Sequence, residues 1–108
     1  MRIISGKFKG HKLNIPKNFL IRPTTDRFKE SLFSIINSEK YSSNIQGKYF
    51  LDLCSGSGGI GIEAFSRGAQ KVYMIDKNQD AINLINKNLS KIELNIELGK
   101  NLFVLKQD

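Results

Sequence analysis

The chain has 108 residues, 40% of them apolar, and carries seventeen Lys/Arg against ten Asp/Glu for a formal charge of +7. That length supports one small domain of the ~100–150-residue class, and the apolar content excludes wholesale disorder. A lone cysteine excludes an internal disulfide, one histidine cannot make a metal site, and no apolar run approaches the ~18 residues of a membrane span. The opening Met-Arg-Ile-Ile-Ser-Gly-Lys lacks the apolar core of a signal peptide, so a soluble cytoplasmic protein with no membrane partner is the expectation.

The charge is unevenly placed. The first thirty residues carry eight Lys/Arg (Arg2, Lys7, Lys9, Lys12, Lys17, Arg22, Arg27, Lys29) against Asp26 and Glu30, while nine basic and eight acidic side chains nearly cancel elsewhere. Such asymmetry marks either a surface for a polyanion or a solvated lysine-rich face.

Residues 2–15 alternate apolar positions (Ile3, Ile4, Phe8, Leu13, Ile15) with basic ones around Gly6 and Gly10. This predicts a twisted β-hairpin with one cationic face. Pro16-Lys-Asn reads as a turn, followed by an extended segment to Arg22-Pro23. Thr24 or Thr25 is placed to cap a helix over 26–37, with Asp26 favourable in its first turn. Phe28, Leu32, Ile35 and Ile36 share a face at helical spacing and are expected to point inward.

A polar connector over 38–47 leads to Tyr49–Leu53, which reads as a buried parallel strand. A glycine-rich turn follows, then a helix over about 59 to 67 stopped by Gly68. Residues 71–75 form a second strand, and Asn78 caps a helix with Ala81, Ile82, Ile85 and Leu89 inward. After an ambiguous stretch at 93–101, residues 102–105 make a third strand. Alternating strands and helices are the pattern of a doubly wound parallel sheet in three layers.

The turn carries the chemistry. Gly56, Gly58 and Gly61 fit the G-x-G-x-x-G fingerprint of a nucleotide-binding β-turn-α unit, where absent side chains let the backbone approach a ligand. Asp52, four residues earlier, selects among ligands: at a dinucleotide site it would repel the pyrophosphate. It suits the sulfonium and α-ammonium of S-adenosylmethionine, with Ser55 and Ser57 also in the turn. A dinucleotide site, or Asp52 acting as a local cap, are the alternatives.

Asp52, Asp76 and Asp108 all fall at or just beyond strand C-termini, where open α/β sheets bind ligands. Asp76, about twenty residues past the turn, is placed to accept from ribose hydroxyls; alternatively Asp76-Lys77-Asn78 simply starts a helix. Asp108 is either an acceptor for the adenine amine or a frayed terminal carboxylate. Cys54 has no activating neighbour and reads as a small side chain packed under the turn. His11, beside Lys9 and Lys12, is RNA-facing or merely exposed. Phe8, Phe28 and Phe33 offer rings for stacking on bases; helical spacing assigns Phe28 to the core and leaves Phe8 open.

The sequence resembles the RsmD family of 16S ribosomal RNA guanine-N2 methyltransferases. The opening Arg-Ile-Ile-Ser-Gly-Lys-Phe-Lys-Gly-His-Lys-Leu is similar to the family's first hairpin. Ile21-Arg-Pro-Thr-Thr-Asp-Arg-Phe-Lys-Glu-Ser-Leu-Phe33 is a second signature, and the stretch from Leu51 to Ala69 looks like the methyl-donor motif with its helix. Val72 to Lys77 carries the ribose acid.

The resemblance implies a Rossmann-like class I S-adenosylmethionine-dependent methyltransferase core, here a partial parallel sheet. A basic N-terminal hairpin and helix (residues 1–40, rRNA-facing) would precede the first half of the donor-binding domain (residues 41–108). The implied donor-binding residues are Asp52, Ser55, Gly56, Ser57, Gly58, Asp76 and Asp108. Arg2, Lys7, Lys9, His11, Lys12, Arg22 and Arg27 would meet 16S rRNA in the small ribosomal subunit. The family's Asn/Asp-Pro-Pro-Tyr/Phe tetrapeptide, which orients the base amine, has no counterpart, since the only prolines are Pro16 and Pro23. A truncated reading frame, a fragment or a split protein would each explain that, and a catalytically silent RNA- or cofactor-binding remnant is the rival reading.

Overall fold

The computed structural model describes residues 1–14, 25–38, 44–53, 55–92 and 101–107. Six elements follow in chain order: α1 (Asp26–Ile36), β1 (Tyr49–Leu53), α2 (Gly59–Ser66), β2 (Lys71–Asp76), α3 (Gln79–Ser90) and β3 (Leu102–Lys106). The strands form one parallel sheet in the order β1-β2-β3, with Asp52 level with Met74 and Ile75 level with Leu105. The expected strand–helix alternation and parallel sheet are therefore present, each element within a residue or two of its predicted ends.

Local chemistry accounts for the boundaries. Thr25 Oγ1 accepts the Phe28 N–H at 3.1 Å and caps α1, and Asn78 Oδ1 accepts the Asp80 N–H at 2.8 Å to cap α3. Satisfying one orphan amide this way is worth about 1 kcal/mol. At the end of α2 the Ala69 N–H reaches the Ala64 carbonyl and the Gly68 N–H reaches Phe65, a Schellman closure. It needs the left-handed backbone that Gly68 supplies at φ 112°.

Alternate residues of the strands face one core. Val72, Met74 and Leu102 are fully buried against Ile62 and Phe65 of α2, Ile85 and Leu89 of α3, and Phe33 of α1. The helix α3 turns inward the four residues its spacing predicts, Ala81, Ile82, Ile85 and Leu89. Gly61 lets α2 sit close on β2, because a Cβ there would lie 2.5 Å from Met74 Cγ. The opposite sheet face is bare among the described residues: Tyr49, Leu51 and Leu53 are 62%, 58% and 64% exposed. Two of the expected three layers are seen among the described residues, and β1 is half-covered rather than buried.

One further expectation is corrected. The inward face of α1 is Lys29, Leu32, Phe33 and Ile36, while Phe28 and Ile35 are more than half exposed. The helix is rotated about one position because Lys29, fully buried, finds a carboxylate partner inside. Residues 1–14 double back as the expected hairpin, with a short pairing: one antiparallel bridge, Arg2 to Lys12, flanked by the Ile3 N–H on the His11 carbonyl, the Gly10 N–H on the Ile3 carbonyl and the Leu13 N–H on the Met1 carbonyl, each at 2.9 Å. Their backbone is also engaged by α2, with the Lys7 N–H donating to the Ser66 carbonyl at 2.9 Å. Ile3, Phe8 and Leu13 join the same core as the sheet.

Candidate functional site

At the top of β1 the chain leaves Asp52 and enters the glycine turn. The Ser55 N–H donates to the Ile75 carbonyl at 3.0 Å and the Gly58 N–H to the Ser55 carbonyl at 2.9 Å, which ties the turn to β2 and closes it on itself. Ser55 Oγ donates to the Asp52 carbonyl at 2.7 Å. Gly56 and Gly58 take positive φ values of 58° and 83°, a backbone that side-chain-bearing residues rarely adopt. Gly58 is also the N-cap of α2 and has no side chain to cap the helix's first amides, of which the Gly61 N–H is directed at the Asp52 carboxyl. Those N–H groups form a positive helix end beside the turn.

Asp76 closes the site from β2. Its Oδ2 accepts the Gly56 N–H at 3.0 Å and its Oδ1 accepts the Asn78 N–H at 2.9 Å. One carboxylate therefore links the glycine turn to the start of α3. Each oxygen has a second lone pair, so the acid retains acceptor capacity for hydroxyl donors.

Asp52 lies at the focus of this arrangement. Its Oδ2 is buried with no hydrogen-bond partner among the described residues. Burial, first, and then the charge of Asp76 push its carboxyl up from 3.8 to about 6, while the Gly61 N–H and Ser55 pull it down by less. A buried acceptor without a donor is costly unless something supplies one. A ligand with a cation or an ammonium donor meets that need, and a phosphate does not.

The sequence-predicted donor residues are otherwise distributed as follows. Asp52, Ser55, Gly56, Gly58 and Asp76 come together around the turn. Ser57 is fully buried with its Oγ directed at the Met1 sulfur 3.7 Å away, and its carbonyl accepts from Asn88 Nδ2 at 3.0 Å. The hydroxyls of both serines thus face protein. Asp108 and Cys54 lie outside the described residues.

The basic side chains form a second surface. Arg2, Lys7, Lys9, Lys12 and Arg27 are exposed and His11 is partly so, its Nδ1 2.9 Å from the Phe8 carbonyl. Arg2 pairs with Asp26 at 3.3 Å. Lys7 Nζ stands over the Phe65 ring at 4.5 Å. Phe8 is buried and stacked on Phe65 at 6.0 Å, so its ring is taken up by the core, as is that of Phe33. Arg22 lies outside the described residues.

The family described as "Conserved hypothetical protein 95" matches residues 1–106. The chain belongs to the RsmD family. YlbH of Bacillus subtilis, an rRNA methyltransferase candidate, is 42% identical over 99 residues, spanning 87% of this chain and 48% of that protein. Ribosomal RNA small subunit methyltransferase D of Buchnera aphidicola is 39% identical over 94 residues, with 87% and 46% covered. The structure of the methyltransferase candidate yhhF from Escherichia coli superposes with a TM-score of 0.77 at 30% identity, covering 100% of this chain and 52% of that one. The chain thus spans about half the length of the curated relatives it matches. The RsmD fold is therefore shared across essentially the whole chain, and the Rossmann-like methyltransferase core is the architecture described above.

Four polar side chains matter here that sequence reasoning did not single out: Lys29, Glu63, Ser66 and Asn88, all nearly or wholly buried. Glu63 and Ser66 sit within the predicted α2 helix, where a single charged residue in an apolar run was the available signal. No helix among the described residues is long and apolar enough to cross a membrane.

Proposed function

We propose that this chain supplies the methyl-donor half and the rRNA-facing surface of an S-adenosylmethionine-dependent enzyme that methylates the exocyclic amine of a guanine in 16S rRNA, in the cytoplasm. The observation that carries the reading is the orphaned Asp52 oxygen beside a turn in which Gly56 and Gly58 carry no side chain. Asp52 would hold the cationic end of the donor, and the free lone pairs of Asp76 would take the ribose hydroxyls. Gly56 and Gly58 would admit the ligand to the backbone, Ser55 and Ser57 would hold the shape of the turn that receives it, and Asp108 would meet the adenine amine. When bound, S-adenosylmethionine supplies an electrophilic methyl group on its sulfonium.

The exposed Arg2, Lys7, Lys9, Lys12 and Arg27, with His11 and Arg22, would meet phosphates of the small-subunit rRNA, an attraction that is salt-dependent and carries little sequence choice. On this reading residues 1–40 and 41–108 are a division of labour between substrate and donor rather than two separate cores. A second reading, a catalytically silent RNA- or cofactor-binding protein, is favoured by one feature: these 108 residues contain no Pro-Pro pair to grip the amine. Isothermal titration with S-adenosylhomocysteine and with NAD tests the donor assignment. Heat only with S-adenosylhomocysteine is expected; heat only with NAD would replace it with a dinucleotide site.

A further inference from the structure

The polar side of α2 has a job that donor binding leaves unused. Four donors converge on the buried Glu63 carboxylate. The Ile4 N–H reaches Oε1 at 2.9 Å, the Ser5 N–H reaches Oε2 at 3.0 Å, and Arg67 Nε reaches Oε2 at 2.8 Å. Lys29 Nζ stands 3.4 Å from Oε1, with both partners fully buried, and also donates to the Arg2 carbonyl. One turn further on, Ser66 Oγ accepts the Phe8 N–H at 3.0 Å and donates to the Ser5 carbonyl at 2.6 Å.

The backbone of residues 2, 4, 5, 7 and 8 is therefore pinned at successive points, while Arg2, Lys7 and Lys9 project into solvent. The fit is close, since a Cβ on Gly6 would fall on the Ser66 carbonyl. A buried ion pair is weak support for stability, because well-packed apolar residues often serve as well. A carboxylate is, however, a side chain that can accept two backbone amides and two cations at once. What Glu63 adds over an apolar residue is a fixed path for the cationic segment. The same short helix carries the glycine turn at its N-terminus.

We propose that Glu63, supported by Lys29 and Ser66, is a positioning residue for polyanion binding: it fixes the spacing of the exposed cations and their placement relative to the donor turn. This rests on the rRNA-facing reading above. A pinned segment presents its charges without being ordered on contact, so less of the interaction is lost to ordering.

The test compares four proteins: the wild-type chain, Lys7→Gln/Lys9→Gln/Lys12→Gln, Glu63→Gln and Ser66→Ala. Each is measured for filter binding to naked 16S rRNA across a salt series, for S-adenosylhomocysteine affinity and for thermal midpoint. The triple variant should flatten the salt dependence by about two units of log–log slope, at ~0.7 per lost single-strand phosphate contact. Glu63→Gln and Ser66→Ala keep those three lysines, yet should lower rRNA affinity about tenfold and about threefold while S-adenosylhomocysteine affinity stays within about twofold. Should Glu63→Gln fail to fold, Ser66→Ala decides. If the wild type shows no salt-dependent binding that the triple variant loses, the rRNA reading fails and the inference with it. If the triple variant loses binding but Glu63→Gln and Ser66→Ala do not, positioning alone is wrong. A fall of rRNA affinity, S-adenosylhomocysteine affinity and thermal midpoint in parallel would reduce Glu63 to plain fold support and overturn the proposal.

Discussion

The two faces of the sheet are made from alternate residues of the same three strands, and they meet opposite surroundings. On one face Val72, Met74 and Leu102 are completely buried; on the other Tyr49, Leu51, Leu53 and Leu105 are 62%, 58%, 64% and 44% exposed. Apolarity does not separate the two sets. Successive crossovers that move the same way along a sheet place their helices on the same side, so α2 and α3 fall together. The burial of Phe33 and its tilted contact with Phe50 at 6.1 Å add α1 to that side. The glycine turn and the cationic segment are both built on the covered face. The bare face keeps an apolar surface of the kind that marks association, and β1 is an edge with no neighbour beyond it among the described residues.

The contrast is sharpest in the cost of truncating one side chain on each face. Met74→Ala should cost about 2–5 kcal/mol, whereas Leu51→Ala should stay within ~0.5 kcal/mol, as read by urea unfolding. Equal costs would mean that Leu51 is covered in solution. Gly61→Ala should cost about 1–3 kcal/mol by driving a Cβ into Met74, and distinctly less in a Met74→Ala background, giving a non-zero coupling in a double-mutant cycle.

The site's pH response comes next in size. Asp52 titrates at about 6, above its ordinary 3.8. Between those values the folded chain binds more protons than the unfolded one, so this carboxyl's contribution to stability falls as pH rises from about 4 to about 6. On the proposed function, donor binding would have the opposite sign, because a cation needs the ionised form. S-adenosylhomocysteine affinity should drop about tenfold from pH 7 to pH 5, and Asp52→Asn should remove that step while weakening binding at pH 7. A pH-independent affinity in the wild type would exclude Asp52 from the ligand's cation. The smallest change in stability belongs to the bare face. Leu51→Lys/Leu53→Lys should move the unfolding midpoint little, within ~0.5 kcal/mol, at dilutions where the chain is monomeric, and should reduce the self-association that sedimentation detects as concentration is raised.

These contrasts also mark what a sequence can express. The strands, the three helices, the cap at Asn78 and the four inward residues of α3 were legible because local rules govern them. Asp52, the glycines and Asp76 were legible because their spacing follows one turn. What was not legible depends on distant partners. Phe28 reads as core by spacing, yet Lys29 takes the inward place because Glu63, more than thirty residues away, offers it a carboxylate. The alternation of residues 2–15 reads as a hairpin, and its cross-strand bonds are made, but nothing local records that Glu63 and Ser66 take the amides left over at Ile4, Ser5 and Lys7. Tyr49–Leu53 reads as buried because its apolar run carries no record of which face is covered.

The most direct test of the central claim, that these residues carry donor and rRNA binding without the group that orients the amine, is tritiated methyl transfer. The 108-residue chain would be incubated with tritiated S-adenosylmethionine and small ribosomal subunits, in a preparation already shown to bind S-adenosylhomocysteine. Donor binding with rRNA labelling at background is the expected result. Labelled guanine N2 above background from this chain alone would contradict it.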